Sequence, residues 1–430
     1  MQKKLIALAV AGLSTAAFAQ TNVTIYGVAD VSAQGTTMNK SVAPGSNPAD
    51  GSAFNLKNNS SLIGFKGTED LGNGLKGLFQ IETNVNMTGQ SSGQGVAANT
   101  SNSNFGSLRD TYVGASSKYG TVLGGYLSTP FRSALTSFDV MPGATGDGRI
   151  ENLMGGMRFA LGEPGGAGYF NANSSVRATA LAYALPTMYG FSGVIAYTGS
   201  NNNGGTNQTT VGPAVVGSKF TSNSQINAAP QSALSLNLGW EGYGFGIKGA
   251  FQQAKVNNSM QITYTDANNL VTDSPTISGN AQALTSYLIG AQYTGVPGLK
   301  AAVVYNRNTL STNTPNGVNG TGSFFDGANK LSNNAIYAGA SYRWGNFEPR
   351  LSYQHVSNTS GGDGNANNGA NQWTANVGYY LSKRTQVYGI VSGLKNNSNS
   401  VYNLASGGTS LQSTQGQSFL TYGMGMRTNF

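Results

Sequence analysis

The chain has 430 residues, of which only 9% are charged, and its formal net charge at pH 7 is +8. It contains no cysteine, which excludes disulfides and cysteine-based metal sites, and its 61 glycines are too many for a mainly helical protein. Its basic residues are scattered singly, apart from Lys383-Arg384, so no nucleic-acid partner is expected.

The first nineteen residues have the three parts of a cleaved secretory signal. "MQKK" is a positive region, "LIALAVAGL" is an apolar core, and Ala17-Phe18-Ala19 gives the small-x-small pattern that precedes a cut. The apolar core is too short for a transmembrane helix. We therefore expect residues 1–19 to be removed and residues 20–430 to form the mature domain; the alternative is a buried N-terminal helix.

Alternating apolar and polar residues follow from one end of the mature chain to the other. "NVTIYGVADVS" places Val23 and Ile25 on one face, and Thr24 and Tyr26 on the other. Period-two alternation of this kind indicates strands with one apolar and one polar face. Sixteen strands are predicted, near residues 21–35, 58–68, 74–86, 107–117, 120–128, 175–184, 190–200, 232–242, 244–257, 282–294, 298–308, 333–344, 347–357, 371–381, 385–396 and 416–430.

The connections between these strands alternate between short turns and long polar loops. "EDLGNG", "KYG" and "GYG" are short, whereas 36–57, 87–106 and 129–174 are long and rich in Gly, Asn and Ser. This asymmetry is typical of outer-membrane barrels, and an even strand number lets the last strand pair with the first. The predicted fold class is therefore all-β, a 16-stranded antiparallel transmembrane β-barrel. A soluble β-sandwich also alternates, but its outside would need more Asp, Glu and Lys.

The hairpin "IGFKGTEDLGNGLKGLFQIE", residues 63–82, resembles a signature of the general-diffusion porins of Gram-negative bacteria, betaproteobacterial type. "VTIYGVADVS", "YVGASSKYGTV", "YALPTMYGFSG", "YYLSKRTQVYG" and "GMGMRTNF" extend the resemblance over residues 20–430. It implies a homotrimeric outer-membrane porin, surrounded by outer-membrane lipid and lipopolysaccharide, whose third long loop folds inward to narrow the pore. It also implies that the barrel-assembly machinery reads a terminal phenylalanine, here Phe430.

The longest gap in the strand pattern, 129–174, matches this inward loop. It contains four acids, Asp139, Asp147, Glu151 and Glu163, with Arg132, Arg149 and Arg158 among them. Lys66 and Lys76 take the lumen side by parity, and with Arg109 they form the expected basic wall. An acidic loop opposite a basic wall would impose a transverse field that sorts solutes by charge as well as size. Alternatively, the wall cations are simply solvated, and the loop acids pair with the loop's own arginines.

Two positions depart from the family pattern on the expected pore wall. Leu62 stands in "SLIGF" where the family usually has arginine, and Tyr126 stands in "GYL" where the family usually reads "GRQ". Losing two arginines weakens the positive wall, so we expect weak ion selectivity. Tyr126 could instead offer an aromatic contact to a sugar or another ring.

No residue pattern for catalysis, metal binding or a cofactor is found. His355 is the only histidine, and HExxH, EF-hand, Walker and cysteine-cluster motifs are absent. The expected function is passive diffusion of small hydrophilic solutes and ions through a water-filled channel. The alternatives are a solute-selective channel and a structural or adhesive outer-membrane barrel, although a barrel of sixteen strands leaves an aqueous lumen unless something fills it.

Overall fold

A computed structural model describes residues 22–39, 51–88, 105–141, 147–160, 169–199, 225–227, 230–256, 259–261, 264–265, 271–273, 276–278, 282–311, 330–361, 367–404 and 416–430. Within these ranges, sixteen antiparallel strands form one closed barrel, which confirms the predicted fold class. The predicted signal, residues 1–19, lies outside the described residues.

Each barrel strand pairs with its neighbours in the chain, and β16 returns to β1. Two strands, β2 and β4, are each interrupted once. The strands are β1 Asn22–Met38, β2 Gly51–Asn58 with Leu62–Gly72, β3 Leu75–Val85, β4 Phe105–Leu108 with Thr111–Ser117, β5 Gly120–Ser128, β6 Arg177–Ala184, β7 Phe191–Thr198, β8 Pro230–Gly242, β9 Phe245–Val256, β10 Gln282–Tyr293, β11 Leu299–Ser311, β12 Lys330–Tyr342, β13 Phe347–Val356, β14 Ala370–Tyr380, β15 Thr385–Asn396 and β16 Phe419–Asn429.

The two faces of the barrel wall follow the alternation of the sequence. On β16, Leu420, Tyr422 and Met424 are exposed on the outside, whereas Thr421 between them is 1% exposed on the inside. Turn residues at one end, including Tyr189 and Tyr243, expose large aromatic rings. An apolar outer band with aromatic rings at its edge is the surface that a bilayer requires.

The first piece of β2 was not predicted as a strand. The sequence pattern placed this strand at 58–68, but a first piece, Gly51–Asn58, also pairs with β1 and extends the hairpin. The two pieces meet at Ser60, whose φ is 61°, a left-handed conformation that interrupts the strand. This additional piece carries Lys57, which faces the lumen beside Ser32 of β1.

After β5 the chain turns into the lumen and forms α1, Pro130–Ser137, followed by a short 3₁₀ helix, Ile150–Asn152. Neither helix is long and apolar enough to cross a membrane, and no other helix among the described residues is. Small strands outside the wall form one three-stranded sheet, Gly156–Ala160, Tyr169–Asn173 and Gln225–Asn227. Two further pairs are Ser259–Gln261 with Thr276–Ser278 and Tyr264–Thr265 with Val271–Asp273.

Candidate functional site: the lumen at the inward loop

Residues 129–160, here called the inward loop, begin with a well-capped helix. The Thr129 hydroxyl accepts the backbone N–H of Arg132 at 3.3 Å, and Pro130 occupies the first turn, where its missing N–H costs nothing. The buried side of α1 carries Phe131 and Leu135, both fully buried. The apolar face of this short helix is therefore directed at the barrel wall, and α1 is held by packing rather than by its length.

Phe138, Ile150 and Leu153 of the inward loop join the same buried cluster as Ala302 and Val304 on the inner side of β11. Further members come from β9, β10 and β12, namely Ala250, Leu288, Ala335 and Tyr337. The inner wall is apolar at these positions because the loop covers it there. The lumen consequently contains a packed apolar core on one side.

Polar groups attach the loop backbone to the same wall. Lys300 of β11 donates to the carbonyl oxygens of Ser137 and Asp139 at 2.9 and 2.7 Å. A cation at this position stabilises the C-terminal end of α1, where the backbone carbonyls lack helical partners. Gln354 of β13 donates to the Arg149 carbonyl at 2.9 Å, and the Gly155 N–H donates to Asn306 at 2.9 Å. The Phe131 N–H donates to Ser235 of β8 at 3.0 Å, and Gln372 of β14 donates to the Asp147 carbonyl at 2.6 Å. The loop thus follows the wall from β8 to β14.

Three of the four predicted loop acids are occupied by contacts that hold the loop. Asp139 accepts the backbone N–H groups of Met141 and Ile150 at 2.9 and 3.0 Å. Asp147 pairs with Lys57 at 2.9 Å, and Glu151 forms an ion pair with Arg132. The fourth, Glu163, lies outside the described residues.

The electrostatics of these acids follow from burial and from their partners. Burial raises the pKa of Asp139 to about 6, although its two backbone donors oppose this. Burial also acts to raise the pKa of Glu151, but Arg132 outweighs it, and the pKa is held below its usual value. Glu151 is paired with an arginine of the loop itself, which is the alternative raised from the sequence, whereas Asp147 is paired with a lysine of the wall. An acidic loop face toward the pore stays a prediction.

The predicted basic wall is split between two levels of the barrel. Arg109 forms an ion pair with Glu82 and donates to Asn84 at 3.0 Å, and its charge acts on Arg132 of the inward loop. Lys76 lies six residues from Glu82 on β3, beside the short turn at 72–75, so about 20 Å separates the two levels. Lys76 is therefore at the mouth of the lumen, and we drop it from the proposed constriction.

Lys66 takes the position between these two levels. It is paired in register with Gln80 and Thr24, and its Nζ lies 5.1 Å from the centre of the Tyr26 ring, a cation–π arrangement. The Tyr26 hydroxyl donates to Glu82 at 3.0 Å. Lys66 is thus on the lumen side, as its parity predicted, and lies next to the level of Arg109.

The two departures from the family pattern lie on opposite sides of the wall. Leu62 is opposite Asn84, a partner of Arg109, and this places Leu62 on the inner side. Tyr126 is paired with Thr179, on the same side as Leu181, which is 63% exposed outside the barrel. The inner position at this level belongs to the next residue, Leu127, which is buried against Ala180 and Ala182. We therefore correct the prediction that Tyr126 lines the pore.

Sequence reasoning missed an arginine cluster where the loop leaves the wall. Burial lowers the pKa of Arg132, Glu151 opposes this, and the nearby charges of Arg177, Arg149 and Arg109 lower it further. Arg177 has the outward parity of Thr179, but it is the first residue of β6, its guanidinium pairs with Asp110 at 3.1 Å, and its charge acts on both Arg132 and Glu151. We call the opening bounded by the inward loop and the inner side of β2–β5 the eyelet. The missed signal was the position of Arg177, the first residue of the strand that follows the loop.

The single histidine of the chain has a partner on the barrel wall. His355 on β13 is within 2.8 Å of the Asn371 side chain on the next strand. Among the described residues, no group of three His, Cys, Asp or Glu side chains could hold a metal ion.

Comparisons with known proteins agree with this architecture. The family model described as "Gram-negative porin" matches residues 5–399. The major outer membrane protein P.IB of Neisseria gonorrhoeae is 25% identical over 389 residues, covering 90% of this chain and 91% of that protein. The anion-selective porin from Comamonas acidovorans superposes with a TM-score of 0.64 at 21% identity, covering 96% of this chain and all of the other. A trimer form of OmpT from Vibrio cholerae has a TM-score of 0.58 at 12% identity, covering 95% and 99%. With a closed barrel, an inward loop and a family match over most of its length, the chain belongs to the Gram-negative porin family.

Proposed function

We propose that this outer-membrane porin passes small hydrophilic solutes and ions by passive diffusion through the eyelet, with a weak preference for anions. The supporting observation is the balance of charge around the opening. Three cations are paired with acids, in Arg109–Glu82, Arg132–Glu151 and Arg177–Asp110. Among the described residues, Arg149 and Lys66 have no acidic partner within 4.0 Å.

This balance supports a weak rather than a strong preference. Paired charges produce a local field that decays over a short distance, whereas unpaired cations attract anions. Charges farther than a Debye length, about 8 to 10 Å, are largely screened, so the net charge of the outer loops contributes little. The anion-selective relative shares the fold at 21% identity, so the preference proposed here depends on this chain's own residues.

Single-channel recording in a planar lipid bilayer tests both parts of the proposal. The purified protein should conduct, and its reversal potential across a salt gradient should show a small anion preference. Replacing both unpaired cations, Arg149→Gln with Lys66→Gln, should move the reversal potential toward cations. A protein that inserts but does not conduct would favour a structural or adhesive barrel, and a conducting protein whose selectivity is unmoved would contradict the charge assignment.

We also propose that the mature chain begins after residue 19 and assembles as a homotrimer within outer-membrane lipid and lipopolysaccharide. The trimer is supported by family membership and by the trimer form of a structural relative. Unboiled detergent gels should show a large species that collapses to a single smaller band on heating. A species that migrates as a monomer without boiling, in gentle detergent, contradicts the trimer.

We further propose that the protein has no enzymatic activity. The only histidine, His355, lies within 2.8 Å of the Asn371 side chain on the neighbouring strand of the barrel wall. A passive channel needs no general base, because solutes move down their gradient unchanged.

A further inference from the structure

The inward loop is attached to the wall on both sides of Asp147, and at Asp147 it also bridges two distant strands. The Asp147 carbonyl oxygen accepts from the Gln372 side chain of β14 at 2.6 Å and from Asn152 at 2.6 Å. The Asp147 carboxylate instead contacts Lys57 of β2 at 2.9 Å. Around the barrel, β15, β16 and β1 lie between these two strands.

This ion pair is fully withdrawn from solvent, since the side chains of Lys57 and Asp147 are 1% and 0% exposed. The second carboxylate oxygen of Asp147 has no protein partner among the described residues. Lys57 is thus the only side-chain partner of this carboxylate in the described part of the chain. Removing one member of such a pair leaves a buried, uncompensated charge, which is strongly unfavourable.

The strand that carries Lys57 is itself held rigidly. Two residues farther along, Asn59 donates to Asp30, Ser32 and Tyr388 at 2.8 to 3.2 Å. These contacts join β2 to β1 and β15 on the inner side of the wall. Lys57 therefore lies on a strand segment that is held in place, and its contact with Asp147 positions the inward loop.

We infer that the Lys57–Asp147 ion pair closes the eyelet into a ring and thereby sets its aperture. Lys57 and Asp147 are then positioning residues of the channel. Without the pair, the loop stays attached to β14 through its backbone, but the part around Asp147 is free to move relative to β2. This inference rests on the proposed channel function, because the aperture matters only if solutes pass through it.

Single-channel recording of Lys57→Met and Asp147→Asn tests the inference. Both should give a noisier open state with frequent conductance steps, whereas the native channel should be quiet. We expect at least a roughly tenfold rise in the frequency of these steps. Losing about 1.4 kcal/mol of the free energy that holds the loop against β2 already raises the population of the displaced loop tenfold. Asp147→Asn retains the shape of the side chain and the backbone contacts, so it serves if Lys57→Met fails to assemble.

Two further variants separate a positioning role from a simple loss of charge. The reversed pair, Lys57→Asp with Asp147→Lys, should restore the quiet trace, which neither single reversal should do. Lys248→Met removes another lysine near the loop, whose contacts to Ser137 and Glu241 are both 3.5 Å, and should leave the noise at the native level.

The results can be assigned without ambiguity. A native protein that does not conduct contradicts the proposed function itself. A native protein that conducts, together with Lys57→Met and Asp147→Asn traces as quiet as the native one, contradicts this inference alone. Single variants that are noisy without rescue by the reversed pair also contradict it, since the contact between the two charges would then not be what matters.

Discussion

Phe430 and Gly27 are joined by two reciprocal backbone hydrogen bonds of 3.0 Å each, and the Phe430 ring covers the glycine on the outer side of the barrel. A Cβ atom at Gly27 would lie 2.3 Å from the ring atom Cζ, so only glycine leaves room for this arrangement. Phe430 thereby extends the seam between β16 and β1, and the barrel strands described above form a closed ring.

Deleting Phe430 should lower the yield of assembled protein in the outer membrane. The deletion removes both the seam hydrogen bonds and the terminal aromatic residue, which we propose the assembly machinery reads. Gly27→Val should weaken the seam through the clash with the ring, whereas Gly124→Val is a matched control, because a Cβ there has no atom within 4 Å. Quantifying the heat-resistant oligomer in outer-membrane fractions measures all three. A normal oligomer level after the deletion would refute the role of Phe430.

Leu62→Arg should shift the reversal potential toward anions. Leu62 is opposite Asn84 on the inner wall, so the new guanidinium would join Arg109 beside the eyelet. Tyr126→Arg is the matched control: Tyr126 is on the outer side, so its replacement should not change selectivity. Arginine on the lipid face costs up to about 2–4 kcal/mol at the bilayer midplane, so this control should also assemble less well. A shift with Tyr126→Arg and none with Leu62→Arg would reverse our assignment of the two sides.

Gly290→Val should loosen the inward loop without opening the barrel. A Cβ at Gly290 would lie 2.5 Å from the ring of Phe138, which therefore has to leave its position on β10. On the adjacent strand, Gly249→Val should be tolerated, because the atom nearest to a Cβ there is 3.8 Å away. Limited proteolysis of the folded protein should cut the loop faster in Gly290→Val than in the control. Equal rates would mean that Phe138 does not fix the loop.

Asp139 should make the stability of the loop depend on pH. Its pKa is raised from 3.8 to about 6 by burial, so the folded protein binds this proton more tightly than the unfolded chain. The free energy of unfolding should therefore fall as pH rises from about 4 to 6. At about 1.4 kcal/mol per pH unit the loss is at most about 3 kcal/mol, and smaller because the side chain is partly accessible. Asp139→Asn should remove this part of the slope.

The measurement is the unfolding temperature of the native protein and of Asp139→Asn at pH 4.5 and at pH 7. The variant should gain stability relative to the native protein as pH rises. A difference between the two proteins that is constant over this interval would show that Asp139 does not titrate within it.

The wall strands could be predicted from the sequence because alternation is a local signal. β16 illustrates this: Leu420, Tyr422 and Met424 are exposed outside, as their spacing predicted. The first piece of β2 alternates too, with Phe54 and Leu56 exposed, but its Gly- and Asn-rich surroundings suggested a loop. Strand boundaries near long polar loops are where the local signal is weakest.

The candidate site could be predicted only in part. Parity placed Lys66 on the inner side, but parity gives no height along the barrel, and Lys76 therefore proved to be at the mouth. The partner of Asp147 is 90 residues away in the chain, and no local pattern predicts such a contact. Because burial required each of these loop acids to have a partner, the three-dimensional fold decided which charges stayed free to act on solutes.

The core shared by the inward loop and the wall also affects how water would fill the barrel. On β11, Val303 faces outward, while Ala302 and Val304 face inward at 4% and 3% exposure, so this strand is nonpolar on both sides. Only the loop makes such a strand compatible with a hydrated interior. Excising residues 129–160 would therefore expose a nonpolar strip along the conduit, where water wets poorly and ions lose hydration. The truncated barrel would be geometrically wider, yet its conductance would increase less than its cross-section.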